Sequence, residues 1–352
     1  MTLFSGIDHD MVEAARHREN YANGDPDPED PGPQDGPGHP LESEVEHAPT
    51  PIRTTQQGPT GAARLPVRLD TVEPVAPEPL LAGRLAPRAH TILFGDGDIG
   101  KGTLACHWAL ELVRQGLTVL VVDYESHRDE WTWRLDGLGG LEGRAGVYHV
   151  APIEAGWRGA LWEHLEVMRA AIEATGADVV IVDSLAVACR GYDPKDDATA
   201  SSYCAAANGL NVSVLSIAHV TKAGGGKWPY GSVFWHNLAR VTWNMSAHQL
   251  GRLLRCRKSN AYEKPRLQMV TITWLDGRLG EVWEKPYAEA LSDAVLDILS
   301  DTPKTRAEID TALEEMRDED DEPVKKNNVK VVLGRLRRRG DIALEGDRWC
   351  RL

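Results

Sequence analysis

Two short stretches carry residue types at spacings that suit phosphate chemistry. The first is Gly95-Asp96-Gly97-Asp98-Ile99-Gly100-Lys101, a Gly-x4-Gly-Lys pattern continued by Gly102, Thr103 and Leu104. Glycines let the backbone curl so that successive N–H groups point at phosphate oxygens, the lysine reaches the terminal phosphates, and the following helix adds its positive end. The flanks agree: Thr91–Phe94 reads as a short apolar strand, and Thr103–Gln115 as a helix stopped by Gly116. One letter departs from this P-loop pattern. Gly102 stands where Ser or Thr normally binds Mg²⁺, which leaves that task to the hydroxyl of Thr103 or to water.

The second stretch is Asp178-Val-Val-Ile-Val-Asp183, an apolar strand closed by an acid about 80 residues after Lys101. A carboxylate there would hold Mg²⁺ directly or through water, across the sheet edge from the P-loop. Another apolar run, Val119–Val122, ends in Asp123-Tyr124-Glu125. A carboxylate near a terminal phosphate suits general-base work on water. Glu125 and Asp123 are both candidates, with a plain capping role open for either.

Val212–Ile217 reads as a further strand and runs into Ala218-His219. The next segment, through Lys222, three glycines, Lys227, Trp228 and Tyr230, combines mobility, positive charge and aromatic faces. Such a loop suits a grip on single-stranded nucleic acid.

The elements around these residues alternate. Continuous apolar strands separated by helices predict an α/β fold with a mostly parallel sheet covered on both faces. Strands are also expected at 240–245, 252–256, 268–274 and 278–283, the last two joined by a hairpin turn at Asp276-Gly277. This core occupies residues 66–287. Residues 1–65 are rich in Pro, Gly, Asp and Glu and are expected to be disordered, with at most a short helix at 8–18. Residues 288–352 predict helices at 288–299, 304–315 and 324–339 and a hairpin at 341–352, the order of a winged helix-turn-helix. Its third helix carries seven basic and no acidic residues over 324–340. Val329, Val332, Leu333 and Leu336 would face a core. Lys326, Asn327, Asn328 and Lys330 would meet a DNA groove, with Arg337 at phosphates.

The chain has 352 residues and a net charge of −14, of which −10 lies within residues 1–50. The remainder is nearly balanced, so the acidic total does not exclude a nucleic-acid partner. The five cysteines, Cys106, Cys189, Cys204, Cys256 and Cys350, show no metal-ligand spacing and read as reduced thiols. No stretch approaches the ~20 apolar residues of a membrane span. A cytoplasmic protein is expected.

The P-loop, Glu125 and Asp183 together resemble the RecA-like superfamily of P-loop ATPases. The later pattern, His219-x-x-Lys222, Gly231-Ser232, Ala239-Arg240 and Arg257-Lys258-Ser259-Asn260, looks most like its RepA-type branch of plasmid and phage replicative helicases. The resemblance covers roughly residues 75–285. It implies ATP and Mg²⁺ as cofactors, Glu125 as catalytic base, His219 as a sensor of the terminal phosphate, and a ring or filament of identical subunits. It also implies a basic finger from each subunit into its neighbour's site, for which Lys258, with Arg255 or Arg257, is the candidate. The implied function is a DNA motor in replication of a phage, plasmid or mobile element. A recombinase or recombination mediator, and an ATP-switched DNA-binding regulator, are the alternatives.

Overall fold

The computed structural model describes residues 80–352, apart from 126–127, 222–225, 261, 276–277, 315, 317–323 and 325. The disordered reading of 1–65, the helix at 8–18, Lys222 and the turn at Asp276-Gly277 lie outside the described residues.

A nine-stranded sheet dominates. Its strands are β1 (His90–Gly95), β2 (Val119–Asp123), β3 (Val147–Val150), β4 (Val179–Asp183), β5 (Ser213–His219), β6 (Val241–His248), β7 (Gly251–Ser259), β8 (Gln268–Leu275) and β9 (Arg278–Pro286). They lie in the order β3-β2-β4-β5-β1-β6-β7-β8-β9. The first six positions are mutually parallel, and β6 through β9 continue as antiparallel neighbours. This is an α/β fold with a large, mostly parallel sheet.

Alternate residues of each buried strand feed opposite layers, as a pleated strand requires. Leu93, Val121, Ile181 and Leu215 enter one cluster with Trp108 and Trp243. Ile92, Phe94, Leu120, Val122, Val180 and Val182 enter another with Tyr203 and Trp235. Helices α1 (Lys101–Arg114) and α2 (Arg128–Arg144) contribute to the first layer. The second takes α3 (Leu165–Thr175), α4 (Leu185–Ala188) and α5 (Asp197–Gly209). A short α6 (Phe234–Leu238) precedes β6.

The sequence pattern does not announce β3. Its four residues, Val-Tyr-His-Val, form a partly exposed edge strand, too short and too polar to stand out from a loop.

After β9 come α7 (Tyr287–Ile298), β10 (Lys304–Thr305), α8 (Arg306–Glu314), α9 (Lys326–Arg339), β11 (Ile342–Glu345) and β12 (Arg348–Arg351). The expected helix from 304 instead begins at 306, because Thr305 is its cap. The Thr305 N–H donates to Glu308 Oε2 at 2.7 Å, and the Glu308 N–H donates to Thr305 Oγ1 at 3.3 Å, a reciprocal capping box. Lys304 and Thr305 thereby pair with β12 in a small sheet of order β10-β12-β11. Val329, Val332, Leu333 and Leu336 are all buried, as their helical spacing predicts. Their cluster also takes in Leu253 of β7 and Met269 of β8, so these elements pack on the antiparallel flank of the main sheet.

Candidate nucleotide site

Parallel strands place their carboxyl ends on one edge, and here four of those ends carry the chemistry. Register sets Asp123 beside Asp183, Asp183 beside Ile217, and Gly95 beside His219. From Gly95 the chain curls through Asp98 (φ 57°) and Gly100 (φ 94°) into α1. Two glycines are obligatory. A Cβ at Gly95 would lie 2.3 Å from the Met245 carbonyl oxygen of neighbouring β6, and one at Gly100 would lie 2.6 Å from Ile272 Cδ1 at a left-handed φ.

Lys101 is buried, and its ammonium donates to the carbonyls of Gly95 at 3.1 Å and Asp96 at 2.5 Å. Burial lowers its pKa, opposed by Asp183, Glu125, Asp96 and Asp98. Asp183 is pushed up from 3.8 to about 7, chiefly by desolvation and then by the charges of Asp123 and Glu125, against the pull of Arg134 and Lys101. A carboxylate so placed favours a cation beside it.

Glu125 sits just past β2, its backbone N–H donating to Asp123 Oδ1 at 3.0 Å and its Oε1 accepting from the Ser184 hydroxyl. His219 Nε2 lies 4.0 Å from that same Oε1. The buried Asp123 is instead engaged by His149 Nε2 of β3 at 3.4 Å. The edge strand that the sequence hid therefore holds the alternative base, while Glu125 faces the cavity.

Lys101, Gly102, Thr103, Glu125, Asp183 and His219 line one cavity of about 490 Å³, within the size range of small-molecule sites. The same cavity is lined by residues that sequence reasoning missed. Arg134 of α2 overhangs Gly102. Arg252 of β7 donates from Nε to the Ile99 carbonyl at 2.7 Å and so braces the P-loop. Trp133 and Trp274 stack at the cavity wall, centroids 5.7 Å apart, each about half exposed. No local motif marks these residues, because they come from a helix and an antiparallel flank distant in sequence from the loop they serve.

The expected nucleic-acid loop hangs from the same edge. Val220 and Pro229 form a β-bridge, and the Tyr230 N–H donates to the His219 carbonyl at 2.8 Å. Lys227, Trp228 and Tyr230 are all exposed. Trp228 packs edge-on against His236, centroids 4.7 Å apart.

Lys258 is not brought to this chain's own cavity. It pairs with Thr242 near the start of β6, at the opposite end of the strands from the P-loop. Its ammonium donates to the carbonyls of His236 at 3.1 Å and Asn237 at 2.6 Å. Of the groove residues, Lys326, Asn327, Lys330 and Arg337 are exposed and Asn328 is half-buried.

A mostly parallel sheet whose P-loop joins β1 to α1, with an acid closing β4, is the architecture of a RecA-like P-loop core. Residues 57–225 match the family model described as AAA domain, AAA_25, a P-loop ATPase type found in RecA-like and helicase-like proteins. That stretch ends before β6, so Arg252, Trp274 and all that follows lie outside it. No curated protein matches the chain. Among the described residues no helix is long and apolar enough to cross a membrane.

Proposed function

We propose that this chain is an Mg²⁺-dependent ATPase that couples hydrolysis to movement on, or remodelling of, DNA. The observation that carries the reading is the gathering of Lys101, Asp183, Glu125 and His219 around one cavity, on the strand edge from which the loop ending at Tyr230 hangs. Lys101 and the P-loop amides would hold the phosphates. Asp183 and the hydroxyl of Thr103 would hold Mg²⁺, which needs only one or two carboxylates besides phosphates and water. Bound there, the ion would neutralise charge on the phosphates. The donor set fits, since Asp183 is buried among acids with a raised pKa.

Glu125 is the group for orienting and deprotonating the attacking water. His219, which faces Glu125 with its side chain and holds Tyr230 with its carbonyl, links phosphate occupancy to the aromatic loop. The order α7-β10-α8-α9-β11-β12 supports a winged helix whose basic α9 meets duplex DNA. Self-assembly into a ring or filament completes the proposal, with Lys258 as the residue offered to a neighbour.

The test is ATP turnover with and without single-stranded DNA, in wild type and Glu125→Gln. Stimulation by DNA, with a loss of about 10²-fold or more in the variant and nucleotide binding retained, is expected. Turnover indifferent to DNA removes the motor reading. A specific observation then favours the switch-like regulator: the basic α9 sits in a cluster that shares Leu253 with β7, one residue from the P-loop brace Arg252.

A further inference from the structure

Gly102 and Arg134 occupy one place. A Cβ built on Gly102 would meet Arg134 Nη1 at 2.9 Å and Cζ at 3.6 Å, with Asp183 Oδ2 3.7 Å from the same point. The space that the usual Ser or Thr side chain fills is therefore taken by a guanidinium. Arg134 is carried on α2 one turn after Glu130, whose carboxylate accepts from Nη2. Among the described residues that is its one hydrogen bond, which leaves Nη1 unpartnered beside the P-loop lysine and Asp183. Its side chain is 21% exposed, so the charge is largely withdrawn from water yet open to the cavity.

The exchange has a chemical meaning. A Ser or Thr hydroxyl after the lysine assists phosphate binding only through a metal ion. A guanidinium is always charged and offers a planar fork of donors that matches phosphate oxygens directly. Gly102 is what lets the fork approach, and Glu130 is what aims it.

We propose that Arg134 is a phosphate-binding residue of this site, which meets the terminal phosphates over Gly102 beside Lys101 and makes nucleotide capture largely independent of a divalent ion. The inference rests on the nucleotide reading above. It assigns the loop's departure from pattern a partner more than thirty residues away.

The experiment is equilibrium binding of a fluorescent ATP analogue to the full chain, in excess Mg²⁺ and in excess chelator, with unliganded melting temperatures as the folding control. Wild type is expected to bind in chelator within about tenfold of its affinity in Mg²⁺. Arg134→Gln is expected to lose tenfold or more in chelator and clearly less in Mg²⁺, with Arg134→Lys between. Gly102→Ser would push aside only the far end of a flexible side chain. It should reproduce the chelator defect, and the double variant should be no worse than either single one.

An Arg134→Gln protein that binds like wild type in chelator overturns the proposal. So do additive costs of the two substitutions, which would mean that they share no space. Glu130→Gln keeps an acceptor for Nη2, so the fork stays aimed and the loss should be clearly smaller than that of Arg134→Gln; an equal loss would place the effect in the ion pair rather than in the guanidinium and would overturn the proposal. A wild type that binds in neither condition refutes the nucleotide reading itself, a different failure from an unaffected Arg134 variant.

Discussion

Asp183→Asn should stabilise the ligand-free protein, and by more at high pH than at low. The Asp183 carboxyl is raised from 3.8 to about 7 by burial and by Asp123 and Glu125. For an acid raised in the folded state, the associated stability is fully present below the unfolded value and is lost as pH rises through the folded one. At pH 8 both states are mostly ionised, and a shift of about three units costs the fold about 4 kcal/mol relative to a neutral side chain. At pH 5 the folded carboxyl is already protonated and the cost falls to about 2 kcal/mol.

Asn has nearly the same shape and no charge. Its advantage over wild type should therefore grow by about 2–3 kcal/mol between pH 5 and pH 8. At about 2–4 °C per kcal/mol for a domain of this size, the gap in melting temperature should widen by roughly 5–10 °C. The assay is thermal unfolding monitored by circular dichroism at the two pH values, without nucleotide or metal. Adding Mg²⁺-ATP at pH 8 should stabilise wild type and do far less for Asp183→Asn, since the variant has lost the group that welcomes the cation. A melting-temperature gap that is the same at both pH values would refute the reasoning. It would mean that the carboxylate is ionised in the fold without strain, and that no uncompensated charge awaits a cation.

Three further outcomes follow from the geometry. Gly100→Ala puts a Cβ 2.6 Å from Ile272 Cδ1 at a φ of 94°, and should strain the loop by about 1–2 kcal/mol. Nucleotide affinity should drop tenfold or more with the melting temperature lowered by only about 2–8 °C, and unaltered binding would remove the loop's dependence on that conformation. Arg252→Ala takes the charged donor from the Ile99 carbonyl, worth about 1.5 kcal/mol or more, and should weaken fluorescent-nucleotide binding about tenfold. An affinity within twofold of wild type would show that the P-loop stands without its brace. Lys330→Glu with Arg337→Glu should weaken duplex DNA binding and flatten its dependence on salt, leaving basal ATP turnover intact. Duplex affinity equal to wild type at low salt would take α9 out of the DNA surface.

The local chemistry was legible in the chain because it is local. Gly95 to Thr103 must curl, and the residues that cradle phosphate are the residues that form the curl. Asp183 could be picked out because it closes an apolar run and Glu125 because it stands just past one, and a buried parallel strand writes itself as such a run whatever its neighbours. The face of α9 was equally plain, since Val329, Val332, Leu333 and Leu336 repeat at helical spacing.

What the sequence could not give is who stands beside whom. The order β3-β2-β4-β5-β1 gathers four strand ends at one edge, and strand order is a property of packing between distant segments. The short β3 brings His149 to Asp123 and so leaves Glu125, rather than Asp123, facing the cavity. The antiparallel flank brings Arg252 to Ile99 and Trp274 to Trp133. It also turns Lys258 toward the far end of the sheet, where its ammonium is bound by two carbonyls of its own chain. Above all, Gly102 reads in the sequence as a missing hydroxyl, whereas in the tertiary structure its place is taken by Arg134. A vacancy left by one residue and the side chain that enters it are set by packing in three dimensions, which no window along the chain contains.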